Sequence, residues 1–209
     1  MKISGKFGVK SLVLASALAL VLGIGGITLA WLSDETETVT NTFTYGDINI
    51  DLTETDADGD GDLFNNEYKM IPGSDIEKDP TVTIEAGSEK CYVFAEIEEK
   101  GGNVTIDGKT YSFDDFITYA VADGWELLSD ENGISVYYRV VDVLDAADDA
   151  VFEVLDGNKV TAKGDVTKEM LNALGNDYPK LLFTAYAVQF ENIASAAEAW
   201  ELAKASANS

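Results

Sequence analysis

The sequence predicts a mainly β fold, an antiparallel jelly-roll-like sandwich with a few short helices, on three observations. Short runs with period-two alternation, or with apolar residues on both faces, recur through residues 41–209. Turn-forming pairs separate them at Pro72-Gly73, Gly101-Gly102, Asp107-Gly108, Asn132-Gly133 and Asp156-Gly157. Helical periodicity is confined to three short stretches, and no internal repeat is present.

The first thirty residues read as an address. Lys2, Lys6 and Lys10 precede residues 11–33, which carry no charged side chain, and the centre of that stretch, 12–22, is Leu, Val and Ala with one hydroxyl at Ser16. Gly23, Gly25 and Gly26 interrupt it, and Thr28-Leu29-Ala30 puts small residues where a signal peptidase needs them. The expectation is a signal peptide over 1–30, cut after Ala30, with no stable membrane insertion afterwards. The rival reading is an uncleaved anchor, because an uncharged stretch of this length can span a bilayer; the three glycines weaken a continuous helix there. A pilin-type leader fits less well, since Asp34, Glu35 and Glu37 follow almost at once.

Along the exported part, Val39, Asn41, Phe43 and Tyr45 alternate with threonines, and the phase flips after Gly46 to Ile48, Ile50 and Leu52. Such a flip predicts a bulge or a change of sheet. Further strands are predicted over 81–85, 91–97, 134–143, 151–155, 159–162 and 181–190. Tyr92-Val93-Phe94 and Leu181-Leu182-Phe183 are apolar on both faces, as in strands central to a sandwich or covered by another element. Helices are predicted over 114–122, from Phe116, Ile117, Ala120 and Val121; over 167–174, with Thr167 as cap and Gly175 as stop; and over 193–205.

Composition narrows the function. The chain has 209 residues, 38 of them acidic against 14 basic; without the three lysines of the leader, 11 basic residues face 38 acidic ones, a net charge of −27. That surface repels nucleic acid and anionic lipid and attracts cations. Histidine is absent, which excludes Ser-His-Asp triads, Cys-His pairs and histidine zinc sites. Adjacent acids such as Asp114/Asp115 and Asp148/Asp149 read as a solvated face, and Gly101-Gly102 lacks the helix and lysine of a phosphate loop. The expectation is that the chain is not an enzyme. Cys91 is the only cysteine, so no disulfide forms within the chain; in the run Cys91-Tyr92-Val93-Phe94 it reads as a small buried hydrophobe.

One motif carries metal chemistry. Residues 56–67 match the calcium-loop pattern D-x-D-x-D-G-x5-E at every fixed position. Asp56, Asp58 and Asp60 would supply side-chain oxygens, Gly61 the sharp turn, Asp62 a backbone carbonyl and Glu67 two oxygens, with Leu63 packing beneath. The flanks depart from the helix–loop–helix arrangement: residues 48–53 read as a strand, Pro72 forbids a long following helix, and Phe64 occupies a position that is often polar. Structural calcium and a plain acidic connection between strands both stand as readings.

The run Gly25-Gly26-Ile27-Thr28-Leu29-Ala30-Trp31-Leu32-Ser33-Asp34, with Asn41-Thr42-Phe43-Thr44-Tyr45-Gly46-Asp47 and the strand that follows, resembles the TasA/camelysin family. Tyr68-Lys69-Met70-Ile71-Pro72-Gly73 and Ala185-Tyr186-Ala187-Val188-Gln189 are similar to members of the same group. The resemblance covers roughly residues 1–53 and is patchy beyond. It implies export by a SipW-type signal peptidase of a Gram-positive bacterium. It also implies a jelly-roll-like domain that polymerises with itself into extracellular biofilm-matrix fibres, the N-terminal segment of one subunit completing a sheet of the next. Residues 31–40 are the candidate donor strand and 41–209 the sandwich; Val39 and the threonines suit a strand, whereas Asp34, Glu35 and Glu37 suit a buried groove poorly. An ordinary edge strand or a disordered segment is the plain alternative. Some camelysin-like proteins are described as metalloproteases, an activity for which this histidine-free sequence offers no zinc site. Residues 205–209 show no sorting motif, so retention through polymerisation is expected rather than covalent anchoring. The competing function is a monomeric cell-surface adhesin or carbohydrate-binding module that uses exposed aromatics such as Trp125 or Tyr137.

Overall fold

The computed structural model describes residues 47–59, 61 and 66–207. The leader over 1–30, the donor candidate over 31–40 and the alternation at 39–45 lie outside the described residues.

The molecule is mainly β, and its sheets are antiparallel. The largest sheet has four strands in the order β12 (Lys180–Gln189), β4 (Cys91–Lys100), β9 (Ile134–Val141) and β8 (Glu126–Glu131). A three-stranded sheet runs β1 (Ile50–Thr53), β3 (Thr81–Ile84), β10 (Ala150–Glu153), and another runs β2 (Asp75–Glu77), β11 (Lys159–Ala162), β7 (Ile117–Thr118). A hairpin of β5 (Val104–Ile106) and β6 (Lys109–Tyr111) stands apart. Two helices complete the described fold, α1 (Lys168–Leu174) and α2 (Ala196–Ala207).

Strand β4 organises the packing because alternate side chains point to opposite faces. Cys91, Val93, Ala95 and Ile97 enter the main core with Val82, Ile84, Val154, Leu155 and Val160 from the smaller sheets. Tyr92 and Phe94 on the other face meet Ala199, Trp200 and Ala203 of α2. Phe94 lies tilted against Trp200 at 5.3 Å, and Trp200 receives Tyr186 edge-on at 5.1 Å. The four-stranded sheet is thus sandwiched by strands on one face and covered by α2 on the other, which explains why Tyr92-Val93-Phe94 has no polar face. Complete burial of a side chain such as Phe94 contributes about 1.5–3 kcal/mol. A third cluster joins Phe113, Phe116, Ile117 and Val166 to Met170 and Leu174 of α1.

Local chemistry sets the connections. Asp107-Gly108 joins β5 to β6 and Asn132-Gly133 joins β8 to β9; all four residues have φ between 50° and 82°, as two-residue hairpin turns require. Thr167 caps α1, accepting the Met170 N–H at 3.2 Å, and Gly175 ends it at φ 59°.

The helix expected over 114–122 is corrected. Only Phe113–Asp115 turns, as a 3₁₀ segment anchored by Ser112, whose N–H donates to Asp115 at 2.8 Å, and Ile117–Thr118 then form β7. The Phe116 carbonyl accepts from Lys163 N–H at 2.8 Å, and β7 pairs with β11. Sheet pairing of a β-branched dipeptide outweighs weak helical periodicity.

Candidate functional site

The acidic loop connects β1 to β2. Asp60 and residues 62–65 lie outside the described residues, so the predicted ligands Asp60 and Asp62 have no described geometry, and neither does Leu63. The remaining three ligands are involved in closing the loop on itself. Asp56 accepts the N–H of Gly59 at 2.6 Å through one carboxylate oxygen and that of Gly61 at 2.9 Å through the other. Asp58 accepts the Glu67 N–H at 2.8 Å, and Asn66 accepts the Ala57 N–H at 2.7 Å, so the two ends of the loop are tied together. Gly61 has φ 88°, a left-handed conformation that a side chain would strain, at the position where the motif demands a sharp turn. Among the described residues no group of three acidic side chains is already gathered to hold a metal. The donor set is nonetheless all oxygen, suited to a hard cation. A carboxylate has about four acceptor sites, so the N–H bonds to Asp56 leave capacity for one.

Beneath the loop is a cluster of charged and aromatic side chains. Lys78, 11% exposed along its side chain, pairs with Glu54, 14% exposed, through both carboxylate oxygens at 3.0 and 2.9 Å. Its ammonium also sits 5.3 Å from the Tyr68 ring and 5.1 Å from the Phe183 ring, favourable cation–π positions. Burial, reinforced by Glu54, Asp79 and Asp58, pushes the Tyr68 phenol up to about 12. Burial opposes ionisation of Asp79 as well. The Thr55 hydroxyl at 2.6 Å and its N–H at 2.9 Å outweigh it and hold the carboxyl below its usual range. The Tyr68 hydroxyl and Asn158 Oδ1 are the buried side-chain polar atoms that lack a partner among the described residues, and both residues adjoin Lys78. This cluster escaped the sequence reading, although a signal was present. In Ile76-Glu77-Lys78, period-two alternation places the lysine on the inward face with Ile76.

The second candidate feature is a seam between two strand edges. Among the described residues, β12 pairs only with β4 and β1 only with β3, and the two edge strands pack against each other. The core-facing residues of β12 (Leu181, Phe183, Ala185, Ala187) and of β1 (Ile50, Leu52) all keep part of their surface exposed. Their neighbours on β4, from Cys91 to Ile97, are almost entirely covered. An apolar seam with unpaired backbone on both sides is what an incoming strand requires.

The aromatics named for glycan binding are corrected. Trp125 is 9% exposed, and its indole N–H donates to the Glu153 carbonyl at 2.8 Å. Arg139 lies 5.1 Å from the Trp125 ring and 3.9 Å from the Phe152 ring. Tyr137 is half-buried and packs on the main core. Both serve the fold because their large apolar area is used inside the sandwich. Cys91 is fully buried, and burial pushes its thiol up to about 11. Among the described residues no helix is long and apolar enough to cross a membrane. No protein-family model, curated protein or solved structure matches the chain, so the family resemblance rests on the residues quoted above.

Proposed function

We propose that this chain is a secreted structural subunit of an extracellular fibre or biofilm matrix at the surface of a Gram-positive bacterium. In this reading the jelly-roll-like body polymerises by strand donation. Signal peptidase frees residues 31–40, and that segment of one copy enters the β1/β12 seam of the next. The observation that carries the reading is the seam, a ten-residue edge strand whose inward side chains are half covered while those of the adjoining strand, Cys91, Val93, Ala95 and Ile97, are buried. The donated strand would satisfy the free backbone groups and cover Phe183 and Leu181. Calcium in the loop over 56–67 would be structural, stiffening the β1–β2 connection and offsetting the mutual repulsion of subunits that each carry −27. No catalytic role is proposed.

The test is electron microscopy and sedimentation of the exported protein, with and without a calcium chelator. Fibres are expected, and they should disappear when residues 31–40 are deleted. A protein that stays monomeric at high concentration and high ionic strength, with calcium present, would falsify the reading.

A further inference from the structure

The cluster under the acidic loop has the parts of an amide-forming site. The Lys78 N–H donates to the Asn158 carbonyl at 2.9 Å, one residue beyond the pair Glu77–Lys159 that closes the β2–β11 ladder. Glu77 and Lys159 are exposed, whereas Lys78 is buried, and Asn158, at φ 52° in the turn that leads into β11, keeps its Oδ1 buried without a partner. A backbone hydrogen bond between opposed residues holds their Cα atoms about 5.5 Å apart, less than the length of a lysine side chain. Buried amide oxygens are seldom left unsatisfied, so this one calls for an explanation. Glu54 holds the Lys78 ammonium through both oxygens, and Tyr68 and Phe183 lie against it.

We propose that Lys78 and Asn158 become joined by an intramolecular amide bond, with Glu54 as the acid–base residue. Glu54 takes a proton from the Lys78 ammonium, leaving a neutral amine. The Nζ lone pair adds to Cγ of Asn158, forming the new C–N bond. Glu54 relays a second Nζ proton to Nδ2, and the Cγ–Nδ2 bond breaks. Ammonia leaves and carries away the first proton as ammonium, so Glu54 returns to its starting state. No oxidant, reductant or cofactor is consumed. The bond would tie the β2 end to the β11 start in a chain whose single cysteine cannot make a disulfide. This inference concerns the subunit alone and does not depend on polymerisation.

Mass spectrometry of a tryptic digest of the full chain, exported by its host, decides it. Acylated Lys78 is no longer cleaved, so residues 70–90 are expected joined to residues 140–159, lighter than the two peptides together by one ammonia, about 17 Da. Glu54→Gln and Lys78→Arg should abolish the joined species. Separate peptides of unmodified mass from the wild type would overturn the proposal. So would a lone 140–159 peptide lighter by the same amount, which is Asn158 cyclised on its own backbone. A joined species that persists in Glu54→Gln would overturn the role given to Glu54. The wild-type digest decides the bond itself even if the variants do not fold.

Discussion

Strands β4 and β12 are both ten residues long and pair with each other along their whole length, from Cys91 opposite Gln189 to Lys100 opposite Lys180. Their environments differ sharply. β4 has neighbours on both edges and is covered on both faces, so Phe94 is 0% exposed. Phe183, opposite Ile97 on β12, keeps part of its ring in contact with solvent. The two strands have similar apolar content, so composition does not separate them. What separates them is position in the sheet, and the half-covered strand is the one with an unpaired edge among the described residues.

The largest expected effect lies in β4. Phe94→Ala removes a ring wedged against Trp200 and should destabilise the protein by about 3–5 kcal/mol in denaturant melts. Phe183→Ala sharpens the comparison: the monomer should lose at least about 1 kcal/mol less than with Phe94→Ala, because a site that already meets water loses less on truncation. If a donated strand covers Phe183 as proposed, the gap should close in fibres; equal losses in monomer and fibre would count against the seam. Cys91 offers a labelling version of the same contrast. Its buried thiol should react with an alkylating reagent only at the rate of global unfolding, whereas the outer-edge amides of β12 exchange hydrogen far sooner.

Smaller effects test elements outside the sheet. Thr167→Ala deletes the α1 cap and should cost about 1 kcal/mol without changing polymerisation. At Glu96 on β4, burial and the repulsion of Glu98 raise the carboxyl pKa, and Lys204 only partly opposes them. The folded state therefore holds this proton more tightly than the unfolded chain does. Stability from this group is fully present at low pH and is lost as pH rises from the ordinary carboxylate range through the raised value. Glu96→Gln should be more stable than wild type near neutral pH and lose that advantage on acidification. A pH-independent difference in urea melts would contradict this.

Much of the architecture was legible because period-two patterning is a local property. The runs at 81–85, 91–97, 134–143, 151–155, 159–162 and 181–190 emerge as β3, β4, β9, β10, β11 and β12, with ends shifted by up to three residues. The turn pairs Asp107-Gly108 and Asn132-Gly133 emerge where their conformational freedom is needed. The strands β2, β5, β6, β7 and β8 escaped notice because they are short or polar and depend on their partners: Glu126–Glu131 has few apolar residues of its own and pairs with β9 through a register shift. For the acidic loop, the sequence supplied the order of oxygen donors. The sequence also marked Gly61 for the sharp turn, which it makes at φ 88°, and the structure added the hydrogen bonds that tie Asp56, Asp58 and Asn66 into the loop. Trp125 was misjudged because its cover comes from Phe152 and Arg139, which are distant in the chain.

By itself the sequence determined the β class, the turns, the two helices with the cap and stop of α1, and the extreme acidity. Each of these follows from neighbours a few residues apart or from a sum over the chain. Only the tertiary structure decided which strand lies central and which lies at the edge, that α2 covers one face of the large sheet, and that Lys78 pairs with Glu54 and through its backbone with Asn158. Those facts depend on pairings between residues distant in the chain, whose free energy comes from area buried jointly by both partners and cannot be read from either one alone.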